Sequence, residues 1–231
     1  MRVIKKIFTA KNFFIAAVAA FSAALVYLLL LRFVPHLDEH YNVITRVDYE
    51  FLPLFTFLGL ITLFWPMLFN KLSKYKISGF LLCFYVGFTV AALLLGTVFD
   101  FYVLVPHWDT MLHFFSGVGL AVLGFAIMDI VERNQNTKYP RLLIVIFAFC
   151  FAKTLGIIWE ISEFFMDIGL GTNTQQWADR YGVPLVGQDA LFDTMKDIIA
   201  NTIGAVIVCV WAYFRLHKKD WPKVLSIMRT R

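Results

Sequence analysis

Residues 187–205 read GQDALFDTMKDIIANTIGA, a stretch that opens an apolar run and yet carries Asp189, Asp193, Lys196, Asp197 and Asn201. On a helix turning about 100° per residue, these residues fall on one face with Ala200 and Gly204. Leu191, Met195, Ile198, Ile199, Thr202 and Val206 take the other. An ionisable side chain at mid-membrane costs about 2.5 to 3.5 kcal/mol on insertion scales, so such residues normally turn toward neighbouring helices and pair there. The stretch therefore predicts a membrane helix with an inward polar face, half of a site whose other half lies on partner helices.

The rest of the chain supplies those partners. Of 231 residues, 60% are hydrophobic and 16% charged, with mean hydropathy +0.71, a composition outside the range of soluble domains. Apolar runs of about 20 residues, enough to span a bilayer, occur near 13–34, 51–69, 79–99, 110–131, 142–166 and 190–214. They use nearly the whole chain, which predicts one all-α transmembrane domain with six spans. The ten-residue alternation of an outer-membrane barrel is missing. Pro53 falls in the first turn of the second span, where proline is tolerated, whereas Pro66 lies further in and predicts a kink. Cys83, Cys150 and Cys209 are far apart in sequence with no metal-type spacing, so they read as small buried hydrophobes.

The net charge of +5 reflects topology rather than nucleic-acid binding, because the basic residues gather at span ends. Sixteen, from Arg2, Lys5, Lys6 and Lys11 to the tail residues Arg215 through Arg231, fall on one side. Only Arg32, Arg46 and Arg180 fall on the other. By the positive-inside rule both termini are expected in the cytoplasm. The first apolar run exceeds the 7 to 15 residues of a signal-peptide core, which predicts a retained first helix.

Two further spans carry matching polar stripes. WDTMLHFFSGVG aligns Asp109, His113, Ser116, Gly117 and Gly124 along one face, and its small residues allow a neighbouring helix to approach closely. In the fifth span Lys153, Gly156, Glu160, Glu163 and Asp167 fall within an arc of roughly 80°. At 1.5 Å per residue, His113, Glu160, Glu163, Asp193 and Asp197 all lie about 6 to 12 Å inward from the outer helix ends. Lys153 and Asn201 lie about 18 to 21 Å in, at a level suited to the floor of a cavity. Asp109, Asp167 and Asp189, at the helix ends, have the alternative role of solvated or structural polar groups.

The seven acids at this level face one His and two Lys, an excess of negative charge. A divalent ion such as Mg²⁺, Mn²⁺ or Zn²⁺, on ligands drawn from Asp109, Glu163, Asp193 and Asp197, would relieve it; so would protons shared between like charges. His113 and Glu160 are candidates for proton transfer, with Lys153 as charge partner. The segment 168–188 is long for a membrane connection and reads either as a lid or as a surface loop.

WDTMLHFFSG, WEISEF and DTMKDIIANTIGA together resemble a bacterial inner-membrane family of the YjdF type and, more distantly, VanZ. The matches to VanZ are His113 and Phe114, Glu163, and Asp193, Asp197, Asn201 and Gly204. They cover roughly residues 105–210. The usual Gln and Gly-Arg of VanZ between its Glu and Asp series are missing, so its association with glycopeptide resistance does not carry over. The resemblance implies the bacterial cytoplasmic membrane and brings no established reaction. Three functions follow as expectations: a metal-dependent enzyme acting on lipid or lipid-linked phosphate at the outer leaflet, a cation- or proton-coupled transporter, or a non-catalytic envelope-stress factor.

Overall fold

The computed structural model describes residues 9–31, 46–73, 75–179, 181–216 and 228–230. The expected topology signals at Arg2, Lys5, Lys6, Arg32, Lys74, Arg180, Lys218, Lys219, Lys223 and Arg231 lie outside the described residues, as does the 32–34 end of the first predicted span. Six helical stretches are long and apolar enough to cross a membrane, so the protein is an all-α polytopic bundle.

Helix α1 (Ala10–Leu31) is followed by α2 (Arg46–Thr62) and α3 (Trp65–Leu72), which together make the second span. The interruption at Leu63 and Phe64 is the predicted proline effect. Pro66 has no N–H to give to the carbonyl four residues back, that of Thr62. The hydroxyl of Tyr85 takes the place of the missing donor, bonding Thr62 O at 2.7 Å. The short strand β1 (Tyr75–Ile77) then leads into α4 (Gly79–Thr89), with Ser78 capping its start by accepting from Leu81 N.

The third span does not stay α-helical: Val90–Val98 is a π-helix. Within it the carbonyl of Ala91 accepts from Trp108 Nε1 at 3.3 Å. The chain then reverses through two residues in the left-handed region, Asp100 and His107, on either side of the four-residue α5 (Phe101–Leu104). Three long helices complete the bundle: α6 (Trp108–Gln135), α7 (Arg141–Leu170) and α8 (Gln188–Arg215).

One element runs against the all-helical expectation. Residues Met228–Thr230 form β2 and pair antiparallel with β1, Lys76 opposite Arg229. This ribbon puts the connection after the second span and the chain's tail at the same end of the bundle, as alternating crossings require. We call that the tail end, and the opposite one, which carries the segment between α7 and α8, the loop end.

The core has two parts. In the first three spans Phe14, Phe21, Leu28, Leu52, Leu63, Val86 and Leu94 fill the interior. In the last three the interior is mostly small: Ala121, Ala126, Ala148, Ala152, Ala205, Cys209 and Ala212 around Phe125. Large apolar residues such as Leu142, Ile146, Ile157, Ile161 and Phe165 of α7 are exposed, as lipid-facing positions should be. Of the cysteines expected to be buried, Cys209 is and Cys83 is partly so, but Cys150 is exposed on the outer surface of the bundle.

Candidate functional site

The polar stripes meet because α6 and α8 cross at glycine. A Cβ on Gly117 would lie 2.0 Å from the carbonyl oxygen of Asn201, and one on Gly204 would lie 2.1 Å from that of Phe114. Both are backbone atoms, so no side-chain rotation relieves the clash. The third helix closes in the same way: Gly156 leaves room for the Asn201 amide, whose Oδ1 would sit 2.7 Å from an added Cβ, and Gly124 rests on the backbone of Ala148. Small residues here substitute for hydrophobic driving force, which lipid does not supply between helices.

Just on the loop-end side of this crossing lies a buried cluster. His113 of α6 reaches Glu160 of α7 through Nδ1 at 3.3 Å and Asp109 of its own helix through Nε2 at 3.5 Å. Ligand atoms of Asp109, His113 and Asp197 all lie within 4.8 Å of one another, and so do those of His113, Glu160 and Glu163. The imidazole stands between the two groups.

The oxygens of both groups are incompletely satisfied, although Glu163 accepts from Trp159 Nε1 at 2.8 Å. Asp197, 2% exposed, has Oδ1 buried with no hydrogen-bond partner, and Glu160 Oε1 is also without one. A buried carboxylate oxygen without a donor is costly, and native structures contain few.

The expected floor residues are in contact. Lys153 Nζ donates to Asn201 Oδ1 at 3.0 Å and to Ile198 O at 3.1 Å, while Asn201 Nδ2 donates to Ser116 Oγ at 2.9 Å. One residue from each of three helices thus forms a single network across the bundle. Beyond it, toward the tail end, the interior is closed by Ala121, Phe125, Ala148, Ala152 and Ala205.

Asp193 is placed otherwise than expected, while Asp189 and Asp167 take the solvated and structural roles open to residues at the helix ends. Asp193 bonds Lys196 at 2.5 Å, one turn away on α8, and its carboxylate joins neither ligand group. The lysine three residues on offers it a closer partner than the cluster does. Asp189 is exposed in the first turn of α8. Asp167 is buried and committed to the chain after it: Oδ1 accepts from Thr172 Oγ1, Thr174 N and Thr174 Oγ1 at 2.6 to 2.7 Å, and Oδ2 from Gln175 N at 3.0 Å. It is an organiser of the loop.

That loop is rooted on all three site helices. Gln175 Nε2 donates to Thr194 Oγ1 of α8 at 3.1 Å and lies 3.4 Å from Glu160 O of α7, and the Gln176 side chain hydrogen-bonds Asp109 of α6. Gln176 takes a left-handed conformation to do so.

Tyr102, in the connection after the third span, was not singled out from the sequence. Its ring lies against Gly96 of the π-helix, where an added Cβ would come within 2.4 Å of Cε2, and its hydroxyl feels the charges of Asp109, Glu163 and Asp197. Burial first, and then those acids, hold its pKa above the usual tyrosine value. Nothing in the local spacing of an apolar span end marks such a residue.

Two buried acids at the tail end were also not singled out. Asp129 is bidentate with Arg133, at 2.9 and 2.8 Å. Glu132 accepts from Lys138 Nζ and Tyr139 N, stitching α6 to the start of α7. Every oxygen named there has a donor, and the arrangement is structural.

A family model described as "Predicted membrane protein (DUF2238)" matches residues 13–218. No curated protein and no solved structure matches the chain.

Proposed function

Since the chain belongs to this family of predicted membrane proteins, whose description carries no reaction, we propose from the site itself that it is a membrane-embedded, metal-dependent enzyme acting on phosphate of a lipid or lipid-linked substrate at the outer leaflet. The observation that carries this reading is the unpartnered Oδ1 of Asp197 beside the converging atoms of Asp109 and His113. A buried acceptor that no protein donor satisfies is suited to a cation. Two carboxylates and an imidazole are a fitting donor set for Mn²⁺ or Zn²⁺, and for Mg²⁺ with added waters.

In this reading Asp109, His113 and Asp197 hold the ion, and the Nδ1 edge of His113 is oriented by Glu160, the usual arrangement in which a carboxylate fixes a metal-ligating histidine. A bound divalent ion would neutralise phosphate charge and lower the pKa of a coordinated water. Glu160 and Glu163, whose ligand atoms lie within 4.8 Å of one another, are positioned to hold and return one proton beside it. Lys153 orients Asn201 at the floor. Of the VanZ-like series His113, Phe114, Glu163, Asp193, Asp197, Asn201 and Gly204, this reading uses His113, Glu163, Asp197 and Asn201, with Gly204 packed on Phe114, and leaves Asp193 to its pair with Lys196.

The transport reading needs a polar path through the membrane. The alanine-lined closure beyond Lys153 and Asn201 gives it no support among the described residues.

The test is purified protein in lipid, assayed for bound metal and for phosphate release from lipid and isoprenoid phosphates. Wild type should carry about one divalent ion and release phosphate. Asp197→Asn should lose both, and Glu160→Gln should keep most of the metal and lose turnover. A wild-type protein free of metal after reconstitution in Mn²⁺, Zn²⁺ and Mg²⁺ would overturn the reading.

A further inference from the structure

The segment between α7 and α8 is built more firmly than a surface connection requires. Asp167, itself buried, takes four donors from Thr172, Thr174 and Gln175. Asn173 exchanges two hydrogen bonds with the backbone of Ala178, at 2.8 and 3.0 Å. Ala178 then pairs antiparallel with Pro184, Leu185 N donates to Trp177 O at 2.9 Å, and Asp179 accepts from the backbone of Tyr181 and Val183. The outcome is a rigid hairpin with few soft bonds.

Its two sides differ in chemistry. The inner side, Thr172 to Gln176, is polar and fastened to α6, α7 and α8 over the site. The far side presents Trp177, Tyr181, Val183 and Val186, which are 40%, 76%, 58% and 84% exposed. An aqueous loop gains nothing by fixing large apolar side chains outward, and contiguous apolar patches on soluble surfaces usually mark an interaction site. Lipid is the nearest apolar phase, because the hairpin springs from two membrane spans, and exposed Phe192 and Leu191 continue the apolar surface into α8. Trp and Tyr beside aliphatic residues also suit the headgroup level, where one part of the ring is wet and the other apolar.

We propose that this hairpin is a membrane-seated anchor, with Trp177, Tyr181, Val183 and Val186 inserted into the headgroup and upper acyl layer of the leaflet at the loop end. The inference stands apart from the metal reading: it concerns the opposite side of the loop, and either can fail without the other. If both hold, the polar inner side roofs the site and a substrate headgroup approaches from the bilayer.

The experiment is depth quenching on the full chain in phosphatidylcholine nanodiscs, whose two faces are both open to dissolved reagents. Val183→Cys and Val186→Cys, in a background with Cys83, Cys150 and Cys209 replaced by alanine, are labelled with an environment-sensitive fluorophore, and Thr137→Cys, in the exposed α6–α7 connection, serves as the aqueous reference. Lipids brominated high on the acyl chain should quench the 183 and 186 labels several-fold more than the 137 label, and iodide should do the reverse. Equal quenching by iodide at all three positions overturns the proposal. So does protection of the hairpin labels from both quenchers, which points to a protein partner or a second copy. Should the cysteine-free background fail to fold, Val183→Cys in the native background, challenged with a membrane-impermeant maleimide, gives the same decision: modification as fast as at Thr137→Cys overturns the anchor, and slow modification supports it.

Discussion

The two halves of this bundle solve the same problem with opposite materials. Between the first three spans the interior is filled by rings and branched side chains, with Phe21 and Leu63 fully buried. Between the last three it is filled by backbone against backbone, with Gly117, Gly124, Gly156 and Gly204 at the contacts and alanine around them. The large-residue half keeps its helices apart, and the polar groups buried there, the hydroxyls of Thr56 and Thr89, bond only to the backbone of their own helices. The small-residue half brings main chains together, and the space gained on the loop-end side holds carboxylates, an imidazole and an amide. Close approach and polarity belong together: hydrogen bonds such as Asn201 to Ser116 reach only across a narrow gap.

The sharpest way to break the contrast is to add one methyl group to each half. Gly204→Ala drives a Cβ to 2.1 Å from a backbone oxygen and should lower stability by about 4 kcal/mol or more, near the upper end for single substitutions. Gly59→Ala meets the Phe21 ring at 2.6 Å, a side chain that can shift, and should cost about 1 to 3 kcal/mol. Thermal melts in detergent compare the two, and equal losses would remove the distinction.

Next in size is Asp167→Ala, which leaves buried donors from Thr172, Thr174 and Gln175 without an acceptor. A loss of roughly 3 kcal/mol is expected, given hydrogen bonds to charged groups of about 1.5 to 3 kcal/mol each. Limited proteolysis between residues 171 and 187 should rise with it. Chelation comes third: if an ion occupies the Asp109, His113 and Asp197 group at 100 times its Kd, removing it should cost about 2.7 kcal/mol in wild type and nothing in Asp197→Asn. Melting temperatures with and without chelator measure this directly. The smallest effect belongs to the large-residue half, where Tyr85→Phe removes the donor to the Thr62 carbonyl and should cost about 1 kcal/mol.

The spans were readable because bilayer thickness sets their length, and the Pro66 break because proline lacks a donor. The inward face of α8 was readable because charge in lipid has few places to go. Pairing within that face was less visible: Lys196 stands three residues after Asp193, a spacing that permits their pair but leaves Asp193 equally free to face the other helices, and only the packed side chains decide it. For Asp167 a substrate contact and a structural role could not be told apart, because its partners come from a loop with no periodicity. The π-helix left no signature, since Val90 to Val98 is uniformly apolar and its register depends on the Trp108 bond from the next span. Tyr102 also escaped, because it reaches the site from a turn set between two left-handed residues, Asp100 and His107.

The glycine crossing between α6 and α8 also bears on how the chain is made. Helix α8 emerges last during synthesis, and it is the least apolar of the six spans, with a mean hydropathy of 1.7 against 1.9 to 2.5 for the others. With Asp193, Lys196, Asp197 and Asn201 on one side, it is a poor candidate for lateral release into lipid on its own account. The notch formed by Gly117, already in the bilayer when α8 leaves the ribosome, gives that polar side a place to dock as it enters. Biogenesis of the last span then depends on an earlier one two helices back, and a bulky residue at position 117 would strand α8 at the translocon before any folded bundle existed to be destabilised.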